Sequence, residues 1–178
     1  MEKLFRSKLQ TDKDVFPAIR NNIVDFYYKG GKLFEYKADK FRTHFKYAIL
    51  QKQIKQFEIS EKSNFTVPLS VDFEVDYRRI KNNCKTYSGI ESAGVSDVYK
   101  KHSYRNITDE IVVLDIEISF EALGNNKQDR IDILLFNKKT KSLKFVEAKH
   151  FTNSELWSKK GGKPKVIAQQ IPKYQAQV

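Results

Sequence analysis

Cysteine is nearly absent from this chain: Cys84 is the single one among 178 residues. A disulfide framework is therefore excluded, and so is a zinc site built from clustered cysteines. Cys84 lies in Asn82-Asn83-Cys84-Lys85 with no surrounding pattern that would activate a thiol. Such scarcity fits a reducing compartment, so a cytoplasmic setting is expected. Long hydrophobic runs are missing too. The opening MEKLFRSKLQ lacks the apolar run of roughly 7–15 residues that marks a secretory leader. No stretch approaches the roughly 20 apolar residues of a membrane-spanning helix. None sets a lysine-rich face against a continuous apolar one, so no membrane partner is expected. Gly161-Gly162-Lys163 lacks the spacing of a phosphate-binding loop, and no internal repeat is present. Acidic residues are outnumbered, 22 against 33 lysines and arginines, for a net charge of +11. That excess favours a polyanionic partner, most simply nucleic acid.

The length suits a single α/β domain over 1–178 with a full core. Its first part, about 1–60, reads as helical and the remainder, about 64–178, as strand-rich. Phe16, Ile19, Ile23 and Phe26 recur at helical spacing and predict a helix over 12–29. Asp12 or Asp14 would cap it, Pro17 falls in its first turn, and Gly30-Gly31 end it. A second helix is expected over 33–56, with Phe34, Phe41, Phe45, Ala48 and Ile49 as its stripe; Glu35 and His44 lie on it. From 64 to 77 apolar and polar residues alternate without a break, which predicts a strand with Pro68 at an edge or bulge. Residues 78–109 carry no clear period beyond a short helix capped by Ser96. Residues 110–123 alternate again, with Val112, Leu114, Ile116 and Ile118 on one face and Asp115, Glu117, Ser119 and Glu121 on the other.

The most informative stretch is 129–149, DRIDILLFNKKTKSLKFVEAK. Two apolar runs flank the polar segment Asn137 to Ser142, the pattern of a β-hairpin. Side chains alternate faces along a strand. If Phe136 pairs with Leu143, Asp132 falls directly opposite Glu147, with Cβ atoms about 5 Å apart. Two carboxylates that close repel unless a cation or proton lies between them. Oxygen ligands of this kind suit a hard divalent ion, Mg²⁺ or Mn²⁺. Lys149 lies one step beyond on the same face. The plainer alternative is that all three residues are the polar face of an ordinary hairpin. A four-residue turn at Gly124–Lys127 would set Ser119 against Asp132. Glu117 or Glu121 would then be diagonal to it as a third carboxylate, unless Glu121 pairs with Arg130.

Asp132 followed, after fourteen residues, by Glu147-Ala148-Lys149 resembles the D…(D/E)xK signature of the PD-(D/E)XK nuclease superfamily. Gln170-Ile171-Pro172-Lys173-Tyr174 is similar to the QxxxY motif of its RecB-like branch. The residue before Asp132 is Ile131, where the family signature has proline. The likeness spans about 110–175. It implies a restriction-endonuclease-like fold, a mixed β-sheet flanked by α-helices, and Mg²⁺-dependent hydrolysis of DNA. Asp132 and Glu147 would bind the ion with the Ala148 carbonyl, Lys149 would orient the water, and Gln170 and Tyr174 would organise the site or contact the strand. Glu35 and His44 become candidates for the residue that such nucleases carry on a preceding helix. The implied partner is DNA, in the context of a homodimer or a larger assembly; a non-catalytic nucleic-acid-binding module and a basic partner-binding subunit are the rival readings. Residues 151–165 form a basic loop with Trp157, suited to nucleic-acid contact or simply to solvent. A last helix is expected over 166–178; were it to start near Gln169, Pro172 would fall in its first turn. Because relatives continue with more helix, the chain is expected to be one domain of a longer protein.

Overall fold

The computed structural model describes residues 2–38, 40–48, 64–66, 73–119, 130–158 and 161–175. They form two compact units, Met1–Lys101 and His102–Val178, where the sequence reads as one continuous domain. Helices and antiparallel sheets occur together, so the chain is α/β. Among the described residues no helix is long and apolar enough to cross a membrane.

The first unit runs α1 (Glu2–Thr11), β1 (Phe16–Arg20), β2 (Ile23–Tyr28), β3 (Gly31–Lys37), β4 (Lys40–His44), α2 (Phe45–Ala48), β5 (Asn64–Thr66), α3 (Phe73–Thr86) and α4 (Ile90–Lys101). Its five strands pair in sequence order. The helix expected over 12–29 is instead a hairpin. Asn21-Asn22 turn it, with Asn22 at φ 56°, a left-handed conformation that asparagine tolerates. Pro17 lies on the edge strand β1, where a missing N–H is acceptable. The helix expected over 33–56 is β3, β4 and the short α2, turned at Ala38 with φ 48°; residues 49–56 lie outside the described residues. The strand expected over 64–77 persists only as β5, with 67–72 outside the described residues. From Phe73 the chain is helical because Tyr77, Ile80 and Cys84 recur at helical spacing and pack with Leu9, Leu33 and Phe34. The region expected to be irregular holds the rest of α3 and all of α4, which begins six residues before Ser96.

Two features lock this unit. Tyr77 Oη and Lys81 Nζ both donate to Asp12 Oδ2, at 2.9 and 2.7 Å. Burial alone would raise the Asp12 carboxyl, but these bonds outweigh it and hold it below its ordinary value. Gly30, at φ +78°, passes so close to α4 that a Cβ there would lie 2.1 Å from Ser92 Cβ.

The second unit is a three-stranded antiparallel sheet in the order β6-β7-β8: β6 (Ile111–Ser119), β7 (Arg130–Asn137) and β8 (Ser142–Val146). A 3₁₀ turn at Ser154–Leu156, a π-helical turn at Val166–Gln170 and α5 (Ile171–Gln175) follow. Val112, Val113, Ile116, Ile131, Ile133 and Val166 are its buried apolar residues. The strand expected over 110–123 is present as β6, but with a bulge between Val113 and Asp115. The bulge leaves Leu114 without a partner in the ladder and 40% exposed. Ser119 pairs with Arg130, two residues from the expected Ser119–Asp132 pairing, so Glu117 rather than Ser119 falls level with Asp132. Residues 120–129, Glu121 among them, lie outside the described residues.

Replacing Gly30 by alanine forces both a clash with Ser92 and a left-handed alanine. The variant is expected to lose about 3 kcal/mol or more, read as a lower urea midpoint with an unchanged slope. Cys84 is buried and its thiol is pushed up to about 12, chiefly by desolvation. An alkylating reagent at pH 8 is therefore expected to leave Cys84 unmodified in the native protein and to modify it in urea.

Candidate active site on the β7–β8 hairpin

The hairpin register is the expected one. Phe136 pairs with Leu143 and Ile133 with Val146, so Asp132 and Glu147 meet one step past the last ladder pair. Glu147 has already left β8 at that point. This lets the Ala148 N–H turn inward and donate to Asp132 Oδ2 at 2.7 Å. Asp132 Oδ1 accepts no hydrogen bond among the described residues.

Burial pushes the Asp132 carboxyl up to about 6; the Ala148 N–H and the more distant Lys149 oppose the rise, while Glu147 and Glu117 add to it. Among the described residues, Glu117 is a further carboxylate near Asp132. It sits between the pairs Ile116–Ile133 and Ile118–Ile131, at φ 52°, and its Oε2 meets Arg130 Nη1 at 2.9 Å.

Glu147 is engaged at both oxygens. Lys149 Nζ donates to Oε1, and Tyr174 Oη donates to Oε2 at 2.9 Å. Both members of the ion pair are largely buried, with side-chain exposures of 12% for Lys149 and 8% for Glu147. Charges this deep stabilise little net but cost several kcal/mol if one partner is lost. Lys149 also lies 4.0 Å from Glu155 Oε2, and Glu155 Oε1 accepts from Lys165 Nζ at 2.6 Å. The result is a charge relay running Glu147, Lys149, Glu155, Lys165.

Beside it lies a cavity of about 470 Å³ lined by Ile131, Phe145, Val146, Val166, Ile171 and the two polar groups Glu147 and Tyr174, with Gln175.

The structure therefore assembles Asp132, Glu147, Lys149 and Tyr174. Gln170 has its Oε1 buried without a hydrogen-bond partner; it is not bonded to the carboxylates. Glu35 and His44 belong to the first unit and are engaged there. Glu35 accepts from Lys32 at 2.9 Å, and His44 Nδ1 accepts from the Lys46 N–H at 3.1 Å. Both sit on strands, where the sequence suggested a helix. Glu155 escaped sequence reasoning, which treated 151–165 as a basic loop. One signal could have found it: Glu155 is the only acidic residue after Glu147.

Among the described residues, no group of three or more His, Cys, Asp or Glu side chains is gathered closely enough to cage a metal unaided. The donor chemistry at the hairpin nonetheless fits a hard cation. Asp132 offers a carboxylate whose ionised form is disfavoured first by burial and then by its negative neighbours, and a cation would offset the second of these. Comparison of the chain with known protein families, curated proteins and solved structures finds no match.

The sign of the Asp132 effect on stability follows from linkage. An acid raised in the folded state binds its proton more tightly there than when unfolded. Its contribution is therefore favourable below about pH 4 and is lost as pH rises through about 6. In chelator, Asp132→Asn is expected to raise Tm at pH 8 and to change it little at pH 4. Equal shifts at both pH values would mean that Asp132 is not strained by charge.

Proposed function

We propose that the second unit is a metal-dependent nuclease that hydrolyses phosphodiester bonds in DNA, within a restriction-endonuclease-like arrangement. One observation carries the reading. Tyr174, from α5, donates to Glu147, whose hairpin register sets it against Asp132 and whose other oxygen meets Lys149. Three separate segments thus converge on Asp132, Glu147, Lys149 and Tyr174, while Gln170 of the QxxxY pattern is not bonded to them. The basic chain, at +11, supports a polyanionic substrate.

In this reading Asp132, Glu147 and the Ala148 carbonyl hold Mg²⁺ or Mn²⁺. When bound, the ion would polarise a phosphoryl oxygen and make its water more acidic. Lys149 orients that water and offsets charge developing at phosphorus. Tyr174 keeps Glu147 pointed toward Asp132 while remaining neutral.

A second reading has its own support. Glu147 already satisfies both oxygens with Lys149 and Tyr174, an arrangement that is complete without an ion. It would suit a non-catalytic nucleic-acid-binding module.

Cleavage of end-labelled single- and double-stranded DNA in Mg²⁺, Mn²⁺ and chelator separates the two. The nuclease reading expects metal-dependent cleavage that Asp132→Asn and Lys149→Ala each reduce by at least about 100-fold. DNA binding by Lys149→Ala should persist and should fall steeply with salt for parent and variant alike. Because it strips Glu147 of its buried cation, Lys149→Ala is also expected to cost about 3 kcal/mol of stability in chelator. Salt-sensitive binding without cleavage in either metal would favour the second reading and overturn the first.

A further inference from the structure

We propose that Phe151 and Trp157 form a stacking platform for unpaired DNA bases beside the candidate site, so that the chain takes single strands or frayed ends in preference to intact duplex. The proposal rests on the reading of DNA as the partner and names its substrate class; it draws on none of the site's carboxylates and not on Lys149.

Two large aromatic rings lie outside any core here. Phe151 is 71% exposed and Trp157 64%. Scattered apolar residues on a surface are ordinary, but these two are held in place. Phe151 sits in a turn closed by the Asn153 N–H, which donates to His150 O at 2.8 Å. Asn153 Oδ1 accepts from the Glu155 N–H at 2.9 Å and starts the 3₁₀ turn. The Trp157 N–H donates back to Ser154 O at 3.3 Å, and its indole Nε1–H donates to the carbonyl of Phe151 itself at 3.2 Å. That last bond ties the two aromatic residues together. It also occupies the only polar group of the indole, so what Trp157 turns to solvent is apolar ring.

Charge decides what such rings would meet. Residues 148–178 contain six lysines against one glutamate, and Lys165 is held to this loop by its 2.6 Å bond to Glu155. Lysine is depleted at protein–protein interfaces. Aromatic rings set among cations are instead the recurring build of single-strand sites, where bases stack and the backbone follows the charge. Intact duplex offers no open base face, because its bases stack on one another and turn only edges and phosphates outward. Phe151 follows Lys149 by two residues, at most about 7 Å of chain. A base stacked here belongs to a nucleotide near the phosphate that the candidate site would attack.

Trp157 is the chain's only tryptophan, so its emission reports on the platform directly. The test titrates the full chain in chelator with a single-stranded DNA oligonucleotide and with the matching duplex, reading tryptophan fluorescence and the anisotropy of labelled DNA. The parent is expected to bind the single strand more tightly than the duplex and to lose Trp157 emission as it does. Phe151→Ala and Trp157→Ala should each weaken single-strand binding about tenfold, the scale of one lost stacked base, with duplex binding and thermal melting close to the parent's. Trp157→Phe, which keeps a ring, should recover part of the loss. Single-strand affinity unchanged in both alanine variants, or parent emission unchanged at saturation, overturns the platform; metal-dependent cleavage by the parent would then leave the nuclease reading standing. Stacking without metal-dependent cleavage does the reverse. A parent that binds neither oligonucleotide overturns both.

Discussion

One side-chain oxygen sets the register on which the candidate site depends. Asn137 Oδ1 accepts from the backbone N–H groups of Lys139 and Thr140, both at 2.9 Å. Asparagine turns of this kind replace backbone bonds at the hairpin tip. With the tip fixed, Phe136 must meet Leu143, and each pair down the ladder follows. A slip of one residue would carry every side chain of β8 to the other face of the sheet. Glu147 would then face away from Asp132, and the Tyr174 and Lys149 contacts would go with it.

What the register creates is an electrostatic problem solved in two ways. Asp132 is desolvated near Glu147 and Glu117 and answers by holding its proton more tightly. Glu147 is answered by an internal cation and a tyrosine hydroxyl. Two adjacent carboxylates thus meet the same problem differently, one by a raised proton affinity and one by pairing with a lysine. Coulomb attraction in such a setting is strong but is largely offset by the loss of hydration. The arrangement contributes little to folding, which makes it available for exchange with a ligand.

Legibility in the sequence differed between the halves for a physical reason. The β7–β8 hairpin is legible because alternation, turn chemistry and pairing all agree there, which places Asp132, Glu147 and Lys149 together; Tyr174 is picked out only by the QxxxY resemblance. In the first half, local pattern and tertiary outcome disagree. Phe16, Ile19, Ile23 and Phe26 fit a helical stripe, yet Ile19 is 79% exposed, since the Asn21-Asn22 turn folds them into a hairpin. Phe73, Val75 and Tyr77 extend an alternating run, yet α3 takes them because Tyr77, Ile80 and Cys84 together fill one core. Period alone could not arbitrate, because packing partners far along the chain decide such segments. The β6–β7 register was missed for a different cause: apolar alternation does not fix which pairs of two strands meet, and the bulge between Val113 and Asp115 leaves no mark in it.

The π-helical turn at Val166–Gln170 works as a phase adjuster. Its closing bond runs from the Ile171 N–H to Val166 O, one residue wider than an α-helical bond. That wider turn also eases the crowding between the Pro172 ring and the preceding carbonyls. Each helical residue advances the helix by about 100°. Wound as a regular α-helix with the same number of residues, this turn would swing Tyr174 by roughly that angle relative to Val166, away from Glu147. The site's geometry is thus written partly as a count of residues, one that no single side chain records and that substitution scanning would never uncover.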